Sequence, residues 1–298
     1  MAAIIAMLLA LAAGWGCRRR GLFPPGSAEA LNLFVLWVCL PALVLARVPG
    51  LTLRSELLAL VAVPWAVTLA IAACVLLLGR LLAWPRPVIG CLLLMATLGN
   101  TSFLGFPLIT ALLGAEQVGL AAVYDQFGTF LLVSTFGLLV LAAYGGQQRP
   151  GPAAILRRIV GFPPFLALLA ALALGAPLPP AAQAVAEHLA APLLPLVAFA
   201  LGLKLQLRLP PGRWTPLLAG LTLKLVLMPL LAWAILLALP VTPQVLAVGV
   251  LEAAMPPMFT AAALAMAARM EPELTAAMVG YGLVLGLATV LLWARLVS

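Results

Sequence analysis

The chain has 298 residues, 65% of them hydrophobic and only 8% charged, with a mean hydropathy of +1.22. Soluble domains carry about 25% charged residues, so this composition excludes a water-soluble enzyme or binding module and reads as an all-α polytopic membrane protein. The formal charge of +8 does not signal nucleic acid, because the arginines stand in short clusters between apolar runs, where they act as topology signals.

The first apolar run, 2–17, has no basic segment before it and is followed by Arg18, Arg19 and Arg20. A secretory leader has the opposite order, so the pattern predicts a retained first span with its N-terminus outside. Charged or Pro/Gly-rich breaks separate nine further spans, at 28–48, 55–79, 88–114, 117–144, 161–176, 181–205, 214–239, 243–268 and 273–296. These runs have the length that crosses a hydrocarbon layer of ~30 Å as helix. Arg18, Arg19, Arg20, Arg80, Arg86, Arg149, Arg157, Arg158, Arg208, Arg213 and Arg269 then fall on the cytoplasmic side. Only Arg47, Arg54 and Arg295 fall outside, so eleven of the fourteen arginines lie inside. That bias sets the orientation in the cytoplasmic (inner) membrane, with both termini outside. Cys17, Cys39, Cys74 and Cys91 form no CxxC pair and read as inert thiols. His188, near the outer end of the seventh span, reads as an interfacial residue.

The longest inside loop, Gly145–Pro164, divides the chain almost in half. A first five-helix repeat is predicted at 1–144, a cytoplasmic linker at 145–160 and a second five-helix repeat at 161–298. The second five spans start inside and the first five outside, so the repeat is inverted. Laying "GAEQVGLAAVYDQFG" over "EPELTAAMVGYGLVL" matches Glu116 with Glu273 and Tyr124 with Tyr281. The positional match is stronger. The fourth span is interrupted by "GNTSFLGFP", Gly99–Pro107, and the ninth, its partner, by Met255, Pro256 and Pro257. Interrupted spans at corresponding places point to a transporter's binding site.

Proline lacks an N–H and glycine weakens a helical turn. In lipid each freed backbone group costs several kcal/mol, so such breaks persist only where protein or trapped water satisfies them. Each break also creates a helix N-terminus inside the membrane, with free N–H donors and partial positive charge, suited to an anion. Thr101 or Ser102 is predicted to cap the one ahead of Pro107. Counting helical rise, Asn100 lies about 18 Å from the inner face, Lys224 about 15 Å from it, and Asp125 and Glu252 about 12 to 13 Å from the outer face. All four converge on one central layer, where Gln126 adjoins Asp125. The candidate substrate-binding residues are Asn100, Thr101, Ser102, Pro107, Gln126, Met255, Pro256 and Pro257. The candidate ion-coupling residues are Asp125, Glu252, Lys224 and Thr129. Asn100 and Thr101 can instead be interhelical glue, and Lys224 and Glu252 a structural ion pair. A carboxylate at membrane depth marks a pathway by default.

"LGNTSFLGFPLITALLG", "YDQFGTFLLVSTFG" and "LEAAMPPMFTAAALAMA" resemble the auxin efflux carrier family, which includes bacterial permeases for malate and related carboxylates. The resemblance covers nearly the whole chain. It implies ten helices in two inverted five-helix repeats, with broken, crossing helices 4 and 9, a fold similar to that of bile-acid/sodium symporters. It also implies a homodimer, with a scaffold part and a moving transport part each built from both repeats. By the same resemblance Asn100 contacts a substrate carboxylate, and Pro107 and Pro256 are the crossover prolines. Two departures stand out: the long hydrophilic central loop of the plant carriers is short here, and those carriers lack the acids seen at Asp125 and Glu252.

The leading expectation is a secondary transporter of a small organic anion, malate- or auxin-like, working by an elevator-type alternating-access mechanism and open to coupling by H+ or Na+. No GxxxxGK[ST] is present, so the chain does not itself hydrolyse ATP, and no cofactor or firmly assigned metal is expected. The expected partners are the anion, the lipid bilayer and a second copy of the chain. An ion-independent uniporter or channel is the first alternative. An intramembrane acid-dependent enzyme using Asp125 and Glu252 is a distant second, since no HExxH or GxSxG accompanies them.

Overall fold

Apolar runs this long have nowhere to place their backbone N–H and C=O groups except on each other, and the α-helix satisfies all of them within one segment. The regular structure of the computed structural model is accordingly helical. It describes residues 2–49, 55–145, 151–205, 207 and 211–297. Arg54, Arg149 and Arg208 of the arginine pattern, and 146–150 of the central loop, lie outside the described residues.

In chain order the helices are α1 (Ala2–Arg19), α2 (Ser27–Arg47), α3 (Leu57–Leu81), α4 (Arg86–Met95), α5 (Thr101–Leu112), α6 (Ala115–Tyr144) and α7 (Pro152–Val160). There follow α8 (Pro163–Leu174), α9 (Pro180–Lys204), α10 (Trp214–Leu237), α11 (Pro243–Ala253), α12 (Phe259–Ala267) and α13 (Pro272–Val297). Six of these, α2, α3, α6, α9, α10 and α13, are long and apolar enough to cross a membrane; α4, α5, α8 and α11 are shorter apolar helices. The chain is thus a multi-pass membrane protein.

The chain forms two compact units. The first comprises Met1–Leu53, Ser102–Ala122 and Ile159–Leu205. Its tightest packing is α1 against α9, where two glycines let the backbones meet. A β-carbon on Gly14 would lie 2.2 Å from the Phe199 carbonyl oxygen, and one on Gly202 would lie 2.1 Å from that of Leu11. The ends are fixed by a hydrogen bond from Arg18 to the Leu205 carbonyl and by ion pairs Lys204–Glu29 at 2.8 Å and Arg47–Glu187 at 3.3 Å.

The second unit comprises Arg54–Thr101, Val123–Arg158 and Gln206–Ser298. Here α3, with 25 residues, is long enough to cross a membrane. Only four residues separate the end of α3 from the start of α4, whereas the start of α11 is tied to the start of α3 by the Thr242 N–H donating to Glu56 at 3.0 Å. The two short helices therefore enter from opposite ends of α3. With 10 and 11 residues each covers about 15 to 16 Å, half of a ~30 Å layer. They meet where Gly99 and Pro257 form an isolated antiparallel bridge.

Four helices contain one widened, π-type turn: 35–39 in α2, 101–105 in α5, 125–129 in α6 and 223–227 in α10. Pro41, Pro107 and Pro229 each stand two residues past such a turn. A proline ring crowds the carbonyl four residues back and offers it no N–H; widening the turn relieves the crowding. The freed carbonyls find other donors. Leu225, four residues before Pro229, accepts from the Trp293 indole at 3.0 Å, and Phe127, inside the α6 turn, accepts from the Trp65 indole at 3.0 Å.

Candidate functional site

The fourth apolar span breaks over 96–100, between α4 and α5. The break therefore precedes the expected one at Pro107, which lies inside α5 after its widened turn. The reason lies in the neighbouring chain. The Asn100 N–H donates to the Pro256 carbonyl at 2.8 Å and the Met258 N–H donates to the Leu98 carbonyl at 3.0 Å. Extended backbone here is satisfied by a second extended segment, 254–258, supplied by the diproline break between α11 and α12. The prolines suit this pairing because Pro256 contributes only its carbonyl. The α13 helix makes room for them. A β-carbon on Gly282 would lie 2.5 Å from Pro257 Cδ, and one on Gly286 would lie 2.8 Å from Pro256 Cβ. The two glycines are four apart and so share one face of α13.

Around this pairing the second unit buries a polar cluster. Asn100, Thr101, Asp125, Gln126, Thr129, Lys224 and Glu252 are all at most 4% exposed. Three widened turns supply four of them: Thr101 from α5, Asp125 and Thr129 from α6, Lys224 from α10. Such turns aim side chains that a regular helix would point elsewhere, and they recur at functional sites.

The Asp125 carboxylate accepts from the Thr101 hydroxyl on one oxygen and from Gln126 Nε2 at 2.5 Å on the other. Thr101 therefore holds Asp125 and does not cap α5, a correction to the capping role expected of it. Lys224 also departs from expectation. Its ammonium donates to the Ala253 carbonyl at 3.1 Å and touches the Met228 sulfur at 3.0 Å, so a direct ion pair with Glu252 is not formed. Glu252 interacts electrostatically with both Asp125 and Lys224.

Several buried polar atoms are left without a hydrogen-bond partner: both side-chain atoms Oδ1 and Nδ2 of Asn100, both carboxyl oxygens of Glu252, Gln126 Oε1 and the Tyr124 hydroxyl. Buried polar groups are paired in well over nine cases in ten. A set of orphans on helices meeting at one break marks this cluster as the candidate site. Tyr124 was noticed in the sequence only as a repeat match. It is 1% exposed and interacts electrostatically with Asp125 and Glu252. Its position beside Asp125 was the available signal.

Met255, Pro256 and Pro257 are buried in the same unit, forming the segment that faces Gly99 and Asn100. Ser102 and Pro107 fall in the first unit, where both are buried. His188 lies on α9, exposed, with Nδ1 at 2.7 Å from the Ala184 carbonyl oxygen. The four cysteines are free thiols.

Comparison with known proteins agrees with a transport role. A curated transporter of Methanothermobacter thermautotrophicus, itself uncharacterized, is 30% identical over 201 residues, which is 67% of this chain and 65% of that protein. An uncharacterized transporter of Methanocaldococcus jannaschii is 25% identical over 171 residues, 56% of this chain and 54% of that one. The match thus spans less than two thirds of the length of either relative. The profile of the family described as membrane transport protein matches residues 1–294. The chain belongs to that membrane transport family, the auxin efflux carriers.

Proposed function

We propose that the protein is a secondary transporter of a small organic anion of the carboxylate class, malate- or auxin-like, with the polar cluster of the second unit as its site. The observation that carries this is the Asn100 side chain: an amide buried to 1% exposure with neither polar atom paired. An interhelical tether would be hydrogen-bonded; an unpaired amide next to the start of α5 is a donor held ready for an anion. The two carboxyls nearby then need compensation when the anion arrives, and a proton or a sodium ion taken up at Asp125 or Glu252 supplies it. Asp125 is the coupling group we favour, Glu252 the alternate, and Thr129 a further oxygen ligand.

The same reading takes α1, α2, α3, the broken pair α4–α5 and α6 as the five spans of a first repeat, 1–144, and α8, α9, α10, the broken pair α11–α12 and α13 as those of an inverted second repeat, 161–298, joined by the linker 145–160. That α4 and α11 start at opposite ends of α3 supports the inversion. Arg86 reaches the Ala143 carbonyl at 2.8 Å and Arg213 pairs with Glu271 at 2.9 Å, as expected if these helix ends share the cytoplasmic side. The second unit would be the transport part of an elevator-type carrier and the first unit its scaffold, in a homodimer in the inner membrane with both termini outside.

The test is purified protein in proteoliposomes. Uptake of a radiolabelled dicarboxylate should saturate and be accelerated by the same anion loaded inside. Flux that rises linearly and shows no counterflow would make the protein a channel.

A further inference from the structure

Lys224 is fully buried, in the widened turn of α10. The acceptor of its ammonium, Ala253, is the last residue of α11, which ends inside the protein. The last carbonyls of a helix have no intrahelical donor and carry a partial negative charge of about half an electron. Those of Val250, Leu251 and Glu252 are answered by the N–H groups of Ala254 and Met255. That of Ala253 is answered by Lys224. The ammonium also lies against the extended backbone: a β-carbon on Gly99 would stand 3.0 Å from Nζ and 3.4 Å from the Met255 carbonyl oxygen. A methyl group there would press on the ammonium.

In carriers built on broken helices, half-helix C-termini and unwound carbonyls are what coordinate a coupling cation. Here that position already holds the side-chain nitrogen of Lys224. A plain structural ion pair would place Nζ on a carboxylate. Instead both Glu252 oxygens lack a hydrogen-bond partner, while the ammonium sits on a carbonyl and a thioether sulfur.

We propose that Lys224 is a tethered cation: its ammonium fills the place at the carbonyl end of α11 that a monovalent metal ion would otherwise take, so this end of the crossing needs no ion from solution. Any coupling ion then acts at the carboxyls. The inference does not depend on the substrate, and its test uses none.

Wild type, Lys224→Ala and Lys224→Ser are purified in choline chloride, sodium chloride or methylammonium chloride at equal concentration, and folded yield and Tm are measured. The wild type should gain nothing from methylammonium over choline, and from sodium no more than an ion at the carboxyls supplies. The variants should lose yield or stability in choline chloride and regain it, saturably, in sodium or methylammonium chloride, by about 5 °C or more. Variants that show the same yield and Tm in every salt, whether high or low, overturn the proposal. So does a wild-type protein that gains as much from sodium and from methylammonium over choline as the variants do.

Discussion

The backbone N–H of Asn100 donates to the carbonyl of Pro256 at 2.8 Å, joining the two interrupted spans main chain to main chain. This bond answers the cost that broken helices incur in a membrane. Backbone freed by the break between α4 and α5 is satisfied by backbone freed between α11 and α12. No side chain is consumed, which leaves the amide of Asn100 unpaired beside the junction.

That division of labour separates folding from binding at Asn100. Asn100→Ala removes no protein hydrogen bond from the side chain and keeps the main-chain bond. Its Tm should match or exceed wild type, because an unpaired buried amide is a cost removed. Thermal stabilisation by carboxylates, read across a panel of such anions, should vanish. A variant that still binds within twofold, or that unfolds, would assign Asn100 to helix–helix adhesion.

The diproline segment needs the glycines opposite it. Gly282→Ala and Gly286→Ala each put a methyl group within 2.5 to 2.8 Å of a proline ring, which cannot rotate away. Overpacking of this kind costs about 1 to 3 kcal/mol. Both variants should melt several degrees lower, whereas Gly16→Ala, with no atom within 4 Å of the new methyl, should not. Equal Tm values for all three would show that α13 yields without strain.

The breaks were legible in the sequence because Gly and Pro act locally. "GNTSFLGFP" and Met255–Pro257 sit in apolar runs where only a helix would otherwise stand. The exact point of the first break was not legible. Pro107 is the strongest local breaker, yet a widened turn absorbs it inside α5, and the chain opens at 96–100 because 254–258 is there to pair with it. Depth counting placed Asn100, Asp125, Lys224 and Glu252 in one layer, and the structure places all four in one unit. Depth cannot give partners, however. Charge alone matched Lys224 with Glu252, and a backbone carbonyl, which has no signature in a sequence, turned out to be the acceptor. Trp65 and Trp293 were invisible for the same reason, since their indoles serve carbonyls freed by widened turns.

Those indoles yield a separate prediction. Trp293→Phe keeps an aromatic ring beside Trp233, whose centroid lies 6.1 Å away, but removes the donor to Leu225. A buried carbonyl left unpaired costs about 1 to 3 kcal/mol. Stability measured by thermal melting should fall accordingly, and Trp65→Phe should do the same through Phe127. No loss in either variant would mean that the carbonyls find other donors and that the widened turns do not need the tryptophans.

The two acids carry the last prediction. Asp125 is held by Thr101 and Gln126, while Glu252 keeps both oxygens without a hydrogen bond. With Lys224 the cluster holds two acids and one base, so full ionisation leaves one negative charge in excess where we propose that an anion binds. A proton or a sodium ion must cover it while substrate is bound. Asp125→Asn carries the covered state permanently. The neutral amide can still accept from Thr101, and Gln126 can turn its unpaired Oε1 toward the new NH2. Substrate exchange in proteoliposomes should therefore persist in Asp125→Asn, but its dependence on pH or sodium should disappear. If Glu252 is the coupling group, the same loss appears in Glu252→Gln instead. Should both variants retain the wild-type dependence, the acids are structural and coupling lies elsewhere. A wild type whose exchange ignores pH and sodium altogether would be an ion-independent uniporter, with Lys224 the only cation the site requires.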